Sequence, residues 1–103
     1  MRIKKTYMQF PKIKSVEALE KYKLKVSFSD GLDGVYDVSD VAGQGVFKIW
    51  DIDDNFLKVF IDMESGAISW PGNIEIDTIN AYCTIKGISP DQLFNNQMKY
   101  AAN

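Results

Sequence analysis

The clearest pattern in the chain is an alternation of apolar and polar residues between positions 22 and 29. Leu24, Val26 and Phe28 alternate with lysines and serines, and a period of two residues is typical of a β-strand with one buried face. The next residues, from Ser29 to Gly34, are rich in aspartate and glycine. Glycine adopts positive φ without steric cost and aspartate bonds to nearby backbone, so this stretch predicts a tight turn. An apolar and aromatic run at 34–38 then completes a β-hairpin.

Three further strands are predicted by the same reasoning. Residues 13–20 precede the hairpin, and residues 57–62 and 67–70 form a second hairpin around the turn at Glu64-Ser65-Gly66. Pro71-Gly72 ends its last strand. Because a lone hairpin is marginally stable in water, we expect all five strands to form one antiparallel sheet.

Helix-capping residues predict two helices in the last third of the chain. Asp77 stands where an N-cap is expected, which favours a short helix at 77–83. Ser89-Pro90-Asp91 is typical of a helix start and predicts a C-terminal helix at 90–98. The predicted class is therefore α+β: a small, mostly antiparallel β-sheet from two hairpins, with short helices and a C-terminal helix.

The predicted core follows from the inward faces of these elements: Leu24, Val26, Phe28, Val35, Phe47, Phe56, Val59, Ile61 and Ile68. The aromatic residues Trp50, Phe56, Phe60 and Trp70 either fill this core or form a stacking surface for bases, and the core is favoured. Trp70 is the expected exposed exception, because Pro71 ends its strand at a sheet edge.

Length and charge restrict the organisation of the chain. With 103 residues, positions 1–103 are predicted to form a single domain. The net charge is −2, but residues 1–25 hold eight of the twelve lysines and arginines. These lysines either protect an edge strand from aggregation or form a basic patch, at Lys4, Lys5, Lys12 and Lys14, for an acidic partner or phosphate. Protection of an edge strand is the favoured interpretation.

Location is predicted from cysteine content and hydropathy. Cys83 is the single cysteine, so an internal disulfide is impossible, and a reducing cytoplasm fits best. No apolar run approaches the length of a membrane span, and the first ten residues do not resemble a signal peptide. We therefore expect a cytoplasmic protein with Cys83 packed as a small buried thiol.

Candidate catalytic chemistry is sparse. The sequence contains no histidine, the commonest general base and transition-metal ligand. The glycines around Gln44 lack the remaining residues of a phosphate-binding loop. Asp30, Asp33 and Asp37 could serve a metal-dependent hydrolase, but turn formation explains them better. The sequence therefore predicts no enzyme, no cofactor and no small-molecule ligand.

The order and spacing of FSDG, YDVS, GVF, DNFLKVFID and GAISWPGNIEID resemble the bacterial domain-of-unknown-function family 2442. The resemblance runs from about residue 11 to residue 87 and leaves 88–103 as a C-terminal extension. It implies a small α+β domain of prokaryotic or phage origin. The resemblance also implies a stand-alone small protein or a domain of the kind that is fused to a helix-turn-helix. Some members lie beside toxin–antitoxin genes, which implies a regulatory or antitoxin-like role. The extension is too short for a whole DNA-reading domain.

These observations favour a non-catalytic protein-interaction or regulatory module, with protein binding or self-association as its activity. The predicted docking edge is 67–74, where Trp70 is the anchor beside Ile68 and Asn73. One alternative is a nucleic-acid-associated regulator that uses the basic patch. Another is a carboxylate-based, metal-dependent enzyme.

Overall fold

The computed structural model describes residues 11–93. In chain order its elements are β1 (Ile13–Ala18), β2 (Lys23–Phe28), β3 (Asp33–Asp37), two 3-10 helices (Gly45–Asp51 and Asn55–Lys58), β4 (Phe60–Ile61), β5 (Ile68–Trp70), β6 (Ile74–Ile76) and α1 (Thr78–Lys86). Residues 90–93 begin a further helix. The predicted α+β class, with antiparallel strands and short helices, is confirmed.

The strands form two antiparallel sheets of three strands, in the orders β1-β2-β3 and β4-β5-β6. We expected one sheet, and the two predicted hairpins instead lie in different sheets. The irregular segment between β3 and β4, with its two 3-10 helices, separates them. The third strand of the second sheet is β6, which the sequence did not predict because Pro71-Gly72 was interpreted as the end of strand structure. β1 lies beside β4, so the two sheets adjoin there.

The first sheet confirms the alternation in β2. Leu24, Val26 and Phe28 are almost fully buried on its inner face. The prediction that Val35 is buried is wrong, because its side chain is 53% exposed. The register pairs Val35 with Lys25, which faces outwards, and directly paired residues share a face. The inner face of β3 carries Gly34 and Tyr36, of which Tyr36 is buried.

The predicted strand at 57–62 is shorter than expected. Its first residues belong to the 3-10 helix Asn55–Lys58, and β4 contains only Phe60 and Ile61. Asp54 has a φ of 58° and so sits in the left-handed region, which turns the chain out of the extended conformation. The backbone N–H of Leu57 then donates to the carbonyl of Asp54 over 3.0 Å. The apolar alternation from Leu57 to Ile61 therefore does not correspond to a continuous strand.

The core is centred on an aromatic cluster. The ring centroid of Trp50 lies 4.8 Å from those of both Phe47 and Trp70 and 5.1 Å from that of Phe56. Trp50 and Phe56 are buried, which confirms the core interpretation for these two rings. Trp70, the expected exception, is buried as well, whereas Phe60 is 43% exposed. Ile68 is also buried as predicted, whereas Phe47, Val59 and Ile61 are only partly buried.

Both predicted helix starts are confirmed. The Asp77 carboxylate accepts a 3.0 Å hydrogen bond from the backbone N–H of Ile79 and caps α1, which ends at Gly87 with a φ of 83°. The Ser89 hydroxyl accepts from the N–H of Gln92, whose side-chain oxygen accepts from the N–H of Ser89. The predicted remainder of this helix, 94–98, lies outside the described residues. Between residues 11 and 93, no helix combines the length and apolar character needed to cross a membrane.

Candidate protein-interaction cleft

The predicted docking edge at 67–74 is not an exposed edge. β5 is the central strand of its sheet, between β4 and β6. Trp70 is 1% exposed, and its indole N–H donates a 3.0 Å hydrogen bond to the carbonyl of Phe56. Ile68 is fully buried, and Asn73 is exposed in the turn before β6 with a φ of 62°. The expectation of an exposed Trp70 is therefore wrong, because its ring packs against Trp50 and Phe56. The unpredicted β6 pairs with the strand edge where a partner was expected to bind.

The predicted basic patch is only partly within the described residues. Lys12 and Lys14 are exposed at the start of β1. The backbone of Lys12 is fixed by Ser29, whose N–H donates to the Lys12 carbonyl over 2.7 Å and whose hydroxyl accepts from the Lys12 N–H. Lys4 and Lys5 lie outside the described residues.

Two of the three aspartates considered for metal chemistry serve the turns around β3, whereas Asp33 is exposed at the start of that strand. Asp30 accepts a 3.0 Å hydrogen bond from the N–H of Leu32, and Asp37 accepts a 2.9 Å hydrogen bond from the N–H of Ser39. Bonds from the Ser39 hydroxyl and N–H hold the pKa of Asp37 below its usual value. In the described part of the chain, no three His, Cys, Asp or Glu side chains converge as metal ligands do.

A cleft of about 420 Å³ lies between the ends of β3 and β6, beside α1. We call it the acidic cleft. Its lining is formed by Tyr36, Asp37, Val38, Asp40, Val41, Phe47, Glu75, Ile76, Asp77, Asn80 and Thr84. Because β3 and β6 are outer strands of the two sheets, the cleft occupies the gap between one edge of each sheet.

Four carboxylates and an apolar wall give the acidic cleft its character. Asp37, Asp40, Glu75 and Asp77 line it, and neither a lysine nor an arginine of residues 11–93 does. Val41, Phe47 and Ile76 supply apolar surface between them. A lysine or arginine side chain matches this combination, because its stem packs on apolar groups while its charged end reaches carboxylates.

Tyr36 connects β3 to α1 within the acidic cleft. Its hydroxyl accepts a 2.6 Å hydrogen bond from the side-chain amide of Asn80. Burial raises the pKa of Tyr36, and the negative charges of Asp77 and Asp40 raise it further. Asp77 and Asp40 are therefore close enough to act on one phenol electrostatically, although the acids of the cleft do not converge on a metal position.

Comparison with known proteins adds a family and one solved structure. The family model "Protein of unknown function (DUF2442)" matches residues 13–87. The chain is similar to the crystal structure "Putative DNA Binding Protein NE0471" from Nitrosomonas europaea, with 27% identity and a TM-score of 0.68 over 90% of this chain. This chain spans 62% of that protein's length. No curated protein matches the chain.

Proposed function

We propose, from the geometry of the acidic cleft, that this chain, which belongs to the DUF2442 family of proteins of unknown function, is a non-catalytic, antitoxin-like regulatory module. Its activity is to bind a basic segment of a partner protein in the acidic cleft. The observation that carries this proposal is the combination of four carboxylates with apolar surface in one cleft. A cytoplasmic location is part of the proposal, since a reducing compartment suits the free thiol of Cys83.

A non-catalytic role is supported by what the candidate carboxylates already do. Asp30 and Asp37 accept hydrogen bonds from residues of their own turns, so part of their acceptor capacity serves the fold. A metal-dependent hydrolase predicts measurable binding heat for Mg²⁺, Mn²⁺ or Ca²⁺ in calorimetric titration. We expect none at millimolar metal, and saturable heat that disappears in Asp37→Asn would contradict the non-catalytic assignment.

The test of the acidic cleft reverses the charge of two carboxylates that do not cap a turn or a helix. We choose the double variant Asp40→Lys with Glu75→Lys, because Asp37 and Asp77 hold turn and helix ends. A matched control, Glu17→Lys with Glu64→Lys, changes the net charge equally at exposed positions outside the cleft. Tagged wild type and both variants are used to recover partners from the native host by crosslinking.

We expect a partner with a basic segment to be recovered in stoichiometric amount with the wild type and the control, but not with the cleft variant. Raised salt should weaken the interaction, because exposed charge pairs are screened. Equal recovery by all three proteins would contradict binding in the cleft. Retention of the native circular-dichroism spectrum shows that a loss of binding is not a loss of fold.

A second candidate function is nucleic-acid association through the exposed Lys12 and Lys14. It is favoured by the likeness to the structure named as a putative DNA-binding protein. Duplex DNA should then bind the wild type with an affinity that falls steeply as salt rises, and Lys12→Glu with Lys14→Glu should flatten that dependence. Salt-independent binding, or no binding at low salt, would dismiss this candidate.

A further inference from the structure

The backbone hydrogen bonds of β3 show which of its residues face away from β2. The N–H of Phe28 donates to the Leu32 carbonyl, and the N–H of Val38 donates to the Tyr22 carbonyl, each over 2.8 Å. In an antiparallel pair the bonded residues alternate along the strand. Between Leu32 and Val38, the even-numbered residues therefore bond to β2. The odd-numbered residues turn their N–H and C=O groups to the other side.

We call this other side the free edge of β3, formed by Asp33, Val35 and Asp37. All three residues are exposed, and Val35 is 53% exposed. Among residues 11–93 their backbone groups take part in no turn, loop or side-chain bond that would occupy the edge. α1 does not cover it, because the helix packs on the inner face, where Ile85 lies against Gly34.

The side chains of the free edge add a charge pattern to its backbone groups. Asp33, Val35 and Asp37 pair with Ser27, Lys25 and Lys23 of β2, so they project from the same outer face. A strand added beside them places three of its own side chains opposite an acid, a valine and an acid. Opposite charges and apolar groups across neighbouring strands are stabilising.

We propose that the basic partner segment binds as an additional antiparallel strand on the free edge of β3. The matching segment carries lysine or arginine, an apolar residue, and lysine or arginine at alternate positions. Main-chain hydrogen bonds supply affinity in this mode of binding, and the alternate side chains supply specificity. The strand continues past Asp37 into the acidic cleft, where Asp40 stands. This inference rests on the proposed function and defines how the segment binds.

A second copy of the chain is a poor occupant of this edge. Antiparallel pairing of two β3 strands centred on Val35 would place Asp33 of each chain opposite Asp37 of the other. Like charges directly opposite one another are destabilising. The acids therefore act against self-pairing, a common protection of exposed edges, while they favour a basic strand.

The experiment uses a synthetic pentapeptide with the sequence lysine-threonine-valine-threonine-lysine. In the free protein, the amides of Asp33, Val35 and Asp37 should exchange with solvent faster than those of Gly34 and Tyr36, as followed by NMR. Saturation with the peptide should slow exchange at the three edge amides by at least about tenfold, because each gains a hydrogen-bond acceptor.

Two N-methylated peptides provide the control. When the residues facing Asp33, Val35 and Asp37 form bonded pairs, the amides of lysine and valine point at β3 and those of the threonines point away. Methylation of the lysine and valine amides should weaken binding by at least about tenfold. Methylation of the threonine amides should leave the affinity unchanged.

The outcomes separate strand addition from the proposed function. If the peptide binds and Asp40→Lys with Glu75→Lys abolishes binding, but both methylated peptides bind equally, the cleft stands and strand addition is overturned. If edge amides become protected while the cleft variant binds as well as the wild type, strand addition stands and the acidic cleft is not the site. A peptide that does not bind the wild type overturns both.

Discussion

The hydroxyl of Tyr82 donates a 2.6 Å hydrogen bond to the carboxylate of Asp30, which lies 52 residues earlier in the chain. The bond joins α1 to the turn between β2 and β3. The Tyr82 ring also packs perpendicular to the ring of Phe28, with 5.0 Å between ring centroids. One residue of the helix is therefore fixed to the first sheet by an apolar contact and by a hydrogen bond to a charged group.

Tyr82→Phe should lower the free energy of unfolding at neutral pH by about 1–2 kcal/mol, because it removes a hydrogen bond to a carboxylate and keeps the ring. Burial, followed by the bond to Asp30, raises the pKa of Tyr82 to about 12. Although burial acts to raise the pKa of Asp30, the bonds from Tyr82 and Leu32 outweigh it and lower that pKa.

The sign of these shifts fixes the pH dependence. A lowered folded-state pKa gives Asp30 a contribution that is present above its ordinary value of 3.8 and is lost as the pH falls through the folded value. The raised pKa of Tyr82 gives a contribution that is present below 10.0 and is lost as the pH rises to about 12. Urea unfolding measures the difference in free energy of unfolding between wild type and Tyr82→Phe, and this difference should become smaller at both low and high pH. A difference that does not change with pH would contradict the hydrogen bond between Tyr82 and Asp30.

Gly34→Ala tests the close approach of α1 to β3. A Cβ at Gly34 would overlap the Cγ2 atom of Ile85, so the Ile85 side chain or the helix that carries it must shift. We expect a loss of about 1–3 kcal/mol in the free energy of unfolding. Val35→Ala, on the outer face of the same strand, serves as the control and should cost much less.

Ile85→Ala removes the atom that the new methyl group meets. In a double-mutant cycle, Gly34→Ala should be less destabilising in the Ile85→Ala background, with a coupling of about 0.5–3 kcal/mol. Denaturant unfolding of the four proteins measures this coupling. Additive effects of the two substitutions would show that Gly34 and Ile85 are not in contact.

Sequence reasoning succeeded where one face of an element is buried. Leu24, Val26 and Phe28 alternate with polar residues because β2 has one face in the core and the other towards solvent. It failed at Leu57, where a left-handed Asp54 starts a helical turn in an apparently alternating stretch. Alternation describes the composition of a segment, and here two preceding residues with positive φ, Asp53 and Asp54, override it.

The sequence prediction lacks strand β6, and for that reason it places a docking edge at 67–74 that the structure does not have. Ile74 and Ile76 show the spacing of a strand, but Pro71-Gly72 predicts the end of strand structure. In the structure Gly72 and Asn73 both have positive φ and turn the chain back. β6 then pairs with β5, so the strand that carries Trp70 has no free edge on that side.

The acidic cleft could be predicted only in part. Asp37 is one of the aspartates that the sequence offers for metal chemistry, and Asp40 follows it by three residues. Glu75 and Asp77 join them because β6 and the N-cap of α1 end beside β3. That juxtaposition depends on how two separate sheets pack, and neither residue spacing nor composition carries this information.

Cys83 should be chemically inert in the folded protein. The thiol is 2% exposed, which confirms the packed thiol expected from the sequence. Burial, followed by the charge of Asp77, raises its pKa, so the reactive thiolate is scarce at neutral pH. A thiol reagent such as DTNB should react slowly in buffer and rapidly in urea, with the rate following the unfolding curve. Fast reaction under native conditions would contradict the buried position.

Trp70→Phe and Trp50→Phe form a matched pair that tests whether Trp70 belongs to the core. Both residues are at most 1% exposed, so each substitution leaves a similar cavity. The Trp70 indole N–H bonds to the Phe56 carbonyl, whereas the indole N–H of Trp50 finds no acceptor among residues 11–93. Only Trp70→Phe therefore leaves a buried carbonyl without its donor.

We expect Trp70→Phe to lower the free energy of unfolding by about 1–3 kcal/mol more than Trp50→Phe, because an orphaned buried acceptor adds its desolvation cost to that of the cavity. Denaturant unfolding measures the difference, and light scattering measures the mass of the folded fraction. That mass should equal the wild-type mass for both variants, since neither ring is on the surface. If Trp70→Phe instead retained full stability and changed the association state, Trp70 would be a surface anchor and its place in this core would be wrong.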